Sequence, residues 1–185
     1  NLGSGIQTLE MNSRTPMGSG NIQFVSGFRW LEWRESFSLS TSVPSGTTTV
    51  IDNYATNVIN SLYGGQIGID ALIYTSNWLR AEGLIKGGAY YNNTASHSSY
   101  QTNDPSSSNA NWDVTAAPSS GTFVGELGFT GVIPLTSCLD FRFGYVGFWL
   151  ESIAQPTEQL SAPDAVVSNG GTIVQGVSLG LEGRW

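Results

Sequence analysis

The sequence predicts an all-β protein, an antiparallel transmembrane β-barrel or the C-terminal strands of one. Three observations carry this. Apolar residues recur with period 2 almost throughout the 185 residues. The alternating runs are about 10–14 residues long, beyond the ~5–6 usual in soluble sheets and enough for the ~9–11 that a tilted strand needs to cross a bilayer. Their connections alternate between short and long, as periplasmic turns and external loops do.

Seven strands are expected, over residues 5–14, 21–33, 62–74, 78–91, 123–135, 139–150 and 172–185. Residues 15–20 (Thr-Pro-Met-Gly-Ser-Gly), 75–77 and 136–138 read as tight turns. Residues 34–61, 92–122 and 151–171 are rich in Ser, Thr, Asn and Pro and read as long loops. Strand 5–14 sets Leu9 and Met11 against Thr8, Glu10, Asn12 and Arg14. Strand 21–33 sets Ile22, Phe24, Phe28 and Trp30 against Gln23, Gly27 and Arg29. Strand 62–74 sets Tyr63, Ile67, Ile69 and Ile73 against Gly64, Gln66, Gly68 and Asp70. Strand 78–91 sets Leu79, Ala81, Ile85 and Tyr91 against Arg80, Glu82 and Lys86. Strand 123–135 sets Leu127, Phe129 and Ile133 against Glu126, Gly128 and Thr130. Strand 139–150 sets Leu139, Phe141, Phe143, Tyr145 and Trp149 against Asp140, Arg142 and Gly144. Strand 172–185 sets Val177, Leu179, Leu181 and Trp185 against Ser178, Gly180, Glu182 and Arg184.

The polar faces carry six acids (Glu10, Asp70, Glu82, Glu126, Asp140, Glu182) and six bases (Arg14, Arg29, Arg80, Lys86, Arg142, Arg184). The whole net charge of −7 therefore falls on loops and strand ends. These twelve residues, with Gln66, are the expected lumen lining. Matched charges interleaved with glycine suit the inside of a barrel of modest bore. They read either as a structural network held by mutual pairing or as a selectivity lining. Aromatics near strand ends, Trp33, Tyr74, Trp78, Tyr90, Tyr91, Trp149 and Trp185, are the expected interfacial girdles.

Seven is odd, whereas bacterial single-chain barrels have even strand numbers. The last strand descends from a long loop, so strand 5–14 descends too and Asn1 starts on the external side. The expectation is one barrel domain over 1–185, either lacking N-terminal strands or closed by another chain.

Certain runs resemble the planctomycete-type outer-membrane β-barrel family. They are Gly27-Phe28-Arg29-Trp30-Leu31 with Glu32 and Glu35, Leu62-Tyr63-Gly64-Gly65-Gln66-Ile67-Gly68, Glu126-Leu127-Gly128, Gly144-Tyr145 leading into Phe148-Trp149, and the ending Gln175-Gly176-Val177-Ser178-Leu179-Gly180-Leu181-Glu182. The terminal Trp185 on an alternating strand resembles the insertion signal of bacterial outer-membrane proteins. The resemblance spans residues 5–185; members are longer, with further strand-like segments before the matched part. One departure lies in a loop, where Gln155-Pro156-Thr157 stands in place of a basic residue before Pro-Gly. The resemblance implies a bacterial outer-membrane location and a pore-forming or structural barrel, and it supplies no catalytic residues.

Other classes fare worse. A chain with 14 acidic and 7 basic residues repels nucleic acid. One histidine, His97 in a Ser-rich segment, and one cysteine, Cys138, leave little for triads, zinc or disulfides. Asn92-Asn93-Thr94 matches a glycosylation sequon, a match that arises often by chance. The acids Asp104, Asp113, Glu158 and Asp164 lack EF-hand spacing. No enzyme activity, cofactor or metal is expected. The expected function is a passive pore or structural envelope component, with the lipid bilayer as partner, and with further copies or other envelope proteins alongside. The competing reading is a soluble or surface-displayed β-sandwich used for adhesion or binding.

Overall fold

The computed structural model describes residues 1–18, 20–45, 48–104, 111–159 and 166–183. They form one antiparallel sheet of eight strands: β1 (Leu2–Met17), β2 (Ile22–Ser45), β3 (Thr48–Thr75), β4 (Arg80–Thr102), β5 (Trp112–Ala116), β6 (Ser119–Pro134), β7 (Leu139–Ile153) and β8 (Gly170–Gly183). The spatial order is β1-β2-β3-β4-β6-β7-β8, with β5 also on β4. The seven long strands curl into an open, barrel-like meander.

Every long strand expected from the sequence is present, but the strands run past their expected ends. The segment 34–61 is not a loop. β2 and β3 continue as one hairpin in unbroken register from Ile22↔Ala71 to Ser45↔Thr48. The segment 92–122 is largely strand as well. β4 runs to Thr102, and β5 and β6 lie along it in a single register, with Ser96 opposite Ala116 and Asn93 opposite Ser119. They are one strand bent at Ala117-Pro118. Proline has no N–H for the ladder, but its carbonyl still accepts from Thr94 N at 3.0 Å. β1 extends to Met17, so the first turn is shorter than 15–20 and rests on Gly18 and Gly20, at φ 58° and 84°. β7 reaches Ile153 through a bulge at Ser152, whose φ is 59°.

The turns at the other end are held locally. Ser76 N donates to Leu79 O at 2.8 Å, and Leu79 N donates to Ser76 Oγ at 3.2 Å. Leu135 N and Thr136 N both donate to Leu139 O.

Burial runs opposite to that of a soluble sheet. The polar faces point into the curl: Arg29 is 1 % exposed, and Gln66, Lys86 and Asp140 are buried. The apolar faces point outward, with Ile67 at 61 % and Val177 at 82 % exposure and Phe28, Ile85 and Phe129 also exposed. Inward glycines permit the curl. A Cβ on Gly64 would lie 2.2 Å from Ala89 O, and one on Gly68 would lie 2.3 Å from Ile85 O. Only glycine lets the neighbouring backbone approach so closely. Gly64→Val is therefore expected to cost about 1–3 kcal/mol, as overpacking does. Gly147→Ala, with nothing within 4 Å of the added Cβ, is expected to shift stability little. Urea unfolding midpoints of the two variants check both statements.

Candidate functional site

The site is the filled interior of the curl. At mid-height, four ionised side chains from four strands form a closed ring. Arg29 on β2 is paired with both Glu10 on β1 and Glu126 on β6. Lys86 on β4 lies 2.7 Å from Glu10 and 2.8 Å from Glu126. Two cations and two carboxylates thus neutralise each other inside the curl. Gln66 Nε2 donates to Glu10 Oε2 at 2.9 Å and to Asn12 Oδ1 at 2.7 Å. Tyr90 OH donates to Gln66 Oε1 at 3.1 Å. The Arg29 guanidinium also stands 5.3 Å from the ring centroid of Phe148, on β7, within cation–π range.

Toward the short turns lies a second set. Arg142 reaches Glu82 at 3.0 Å and Glu182 at 2.6 Å, Arg80 holds Glu82 at 2.7 Å, and Arg14 lies 3.3 Å from Asp70. Twelve of the thirteen expected lining residues therefore sit on the inward face, most of them in these two groups. Asp140 is buried beside the second group, opposite Glu182 in the β7–β8 ladder and lining one small cavity with Arg80. Arg184 lies outside the described residues.

Above the ring the interior turns apolar, which the charge pattern did not anticipate. Leu31, Trp33, Leu62, Tyr90, Val124, Leu150 and Ile153 form one buried cluster, with Ile6, Phe148 and Val174 packed against it. Two expected girdle residues are corrected here. Trp33 and Tyr90 are 5 % and 4 % exposed and face inward, on the same side of their strands as Arg29 and Lys86. Lying near a strand end did not decide their direction; the period of 2 did. Tyr74, Tyr91 and Trp149 are exposed on the outer face; Trp78 is exposed too, but in the turn before β4, which begins at Arg80 and not at 78. Trp185 lies outside the described residues.

The cluster is roofed by the connection after β7. Asn60 Nδ2 donates to Ala154 O at 2.8 Å, and Asn60 Oδ1 accepts from Ala154 N, Asn92 Nδ2 and Thr94 Oγ1. One buried amide thus binds both backbone groups of Ala154, while Asn92 and Thr94 of β4 hold it in place. Part of the expected 151–171 loop thus folds onto the interior. Gln159, 1 % exposed, ties the segment to itself through Gln155 O and Val167.

Beyond the roof, the long extensions carry an aromatic row that sequence reading missed. Tyr54 lies edge-on to Trp112 at 5.9 Å, Trp112 stacks with Tyr100 at 6.2 Å, and Phe37 lies 6.2 Å from Tyr54. Tyr100 OH donates to Asp52 at 2.9 Å, and that bond raises the phenol above its ordinary pKa. His97 is not in a loop. It lies on β4 with Nε2 2.9 Å from Asp113 Oδ1.

The outer face has a definite upper margin. Trp30, Tyr63 and Tyr91 stand opposite one another in one row. Past them the outward positions become mostly polar, Glu32, Arg34 and Ser36 on β2 and Ser61 and Asn57 on β3, with Ile59 between the last two. From Tyr63 to Ile73 the apolar band runs about 33 Å along the strand at ~3.3 Å per residue, or roughly 25 Å of height at a tilt of ~40°. Trp30 and Tyr63 were not among the expected girdle residues, although Tyr91, opposite Tyr63, was.

Comparison of the chain with known protein families, with curated proteins and with solved structures finds no match.

Removing one member of the charge ring leaves buried ions unpaired, which costs about 3–5 kcal/mol. Arg29→Met is expected to lose stability on that scale. Arg29→Met combined with Glu126→Gln is expected to recover part of it, because Lys86 and Glu10 then remain as a neutral pair. Urea midpoints of the single and double variants decide whether the ring acts as a unit.

Proposed function

We propose that the chain is an outer-membrane β-barrel component with a structural role, its bore filled rather than open. The observation that carries this reading is the inverted sheet. An apolar band of about 25 Å, the height expected for a barrel's lipid-facing surface, faces outward, and the neutralised ring of Arg29, Lys86, Glu10 and Glu126 faces inward. A soluble sandwich would set its apolar face against a second sheet; the described residues form one sheet. The resemblance to planctomycete-type outer-membrane barrels fits the same reading. The apolar cluster and the Asn60-anchored roof argue for a structural component over a passive pore, because they occupy the space that solute would need. β2, β3 and β4 continue past the band; β3 has 14 residues between Thr48 and Ser61, about 45 Å at ~3.3 Å per residue. The barrel thereby holds a polar, Ser/Thr/Asn-rich sheet outside the bilayer.

The test is planar-bilayer conductance of purified protein whose insertion is verified separately. Silence from inserted protein is expected. Stable ohmic steps would contradict the filled bore. Failure to insert, with solubility in plain buffer, would contradict the membrane reading itself.

A substitution separates bilayer from water more sharply. Ile69 is 48 % exposed on the outer face. Ile69→Arg is expected to cost about 2–4 kcal/mol in a bilayer, as a charge near the midplane of a barrel does. On a water-facing surface the same change would cost almost nothing. Unfolding from lipid vesicles, wild type against variant, measures the difference.

A further inference from the structure

The path β1-β2-β3-β4-β6-β7-β8 has six antiparallel steps. β1 and β8 therefore run in the same direction. Among the described residues, β1 pairs only with β2 and β8 only with β7. Each leaves one side of its ladder without a strand, and unpaired edges of this length invite another strand. Direct pairing of β1 with β8 would be parallel, against the pattern of the whole sheet. Antiparallel closure requires an odd number of further strands.

The curvature selects the number. Arg29 on β2 lies over Phe148 on β7, four strands away along the sheet, at 5.3 Å. Four strands apart is the full diameter of an eight-stranded barrel, the size whose interior side chains just fill. Three additional strands would open the bore beyond such contacts. The stagger agrees. The ladder carried across from Val174 passes through Phe148, Glu126, Lys86, Gly68 and Val25 to Arg14. Yet Ile6, eight residues from Arg14 on β1, packs on the same cluster as Val174. A register offset of that size is what closing an eight-stranded barrel demands.

We propose that the sheet is one strand short of an eight-stranded barrel, and that its β1 and β8 edges form a docking site for a single strand from outside residues 1–185. The donor runs antiparallel to both edges. It alternates apolar residues facing outward with small or polar residues facing Gly176, Ser178 and Gly180 on one side and Asn12 and Arg14 on the other. This chain's own segments outside the described residues, the longest being 105–110 and 160–165, are too short to pair along edges of 16 and 14 residues. The inference does not depend on whether the outer face meets lipid.

The test uses Gln7→Cys with Gln175→Cys in a Cys138→Ser background, in detergent micelles. Both positions are outward and exposed. One missing strand leaves the edges about 10 Å apart, two spacings of ~4.8 Å. A bismaleimide of that length is expected to cross-link within one chain, and oxidation to a direct disulfide is not. Adding a peptide of residues 139–149, which already forms the antiparallel partner of β8, is expected to suppress the cross-link several-fold. A ready disulfide would mean that the edges meet. Reaction only with a linker of about 20 Å, four such spacings, would mean room for three strands. Cross-links between chains would put a second copy in the gap. Each of these overturns the proposal, as does a cross-link that the peptide leaves unchanged.

Discussion

One buried cation organises the molecule. Arg29 is held by Glu10 and Glu126, and its guanidinium also packs on Phe148. It therefore ties β2 to β1, β6 and β7 at once. A guanidinium taken out of water is tolerated only with its partners in place, and those partners are in place only if the sheet curls. The curl turns the charged faces of the strands inward and the apolar faces beside them outward. Glu10 and Glu126 are shared with Lys86, which brings in β4 and closes the ring at zero net charge. Inward glycines such as Gly64 and Gly68 allow the backbones to approach as the curl requires.

The filled interior follows from the same geometry. A bore narrow enough for Arg29 to reach from β2 to Phe148 has no room for a water column above the ring, so Leu31, Leu62, Val124 and Leu150 meet across it. Apolar side chains inside a barrel need a lid of satisfied polar groups where they end. Asn60 supplies it by binding both backbone groups of Ala154. Neutral ring, apolar layer and anchored roof stack in that order up the axis. Together they fill the inside of the curl, which is what the proposed structural role rests on.

Much of this was legible in the sequence, and the errors have physical reasons. Period 2 located the strands wherever one face was strongly apolar, because the contrast between Ile67 or Ile69 and Gln66 or Asp70 is large. It was not carried into 34–61 and 92–122, where Ser, Thr and Asn dominate and apolar residues are sparse, although Phe37, Leu39 and Val43 do alternate with Ser36, Ser38, Ser40 and Ser42. A weaker signal was present there: Tyr54, Thr56 and Val58 occupy alternate positions on the inward face. Trp33 and Tyr90 were misplaced because aromatic character near a strand end was weighed above parity, although Trp33 shares its side of β2 with Arg29. The charge pairs could be counted in advance but not matched. That Glu10 meets Lys86 depends on curvature, which no single strand encodes. The Asn60 roof had no sequence signal, since an asparagine in a polar segment looks alike whether it binds water or Ala154.

The central claim is that the outward apolar band is covered by lipid. It is tested most directly by the fluorescence of Trp149, kept as the sole tryptophan by replacing the other five with phenylalanine, in vesicles whose acyl chains carry bromine. The account predicts strong quenching by the brominated chains and little by aqueous iodide. Quenching by iodide, with no response to brominated lipid, would place this face in water and contradict the account.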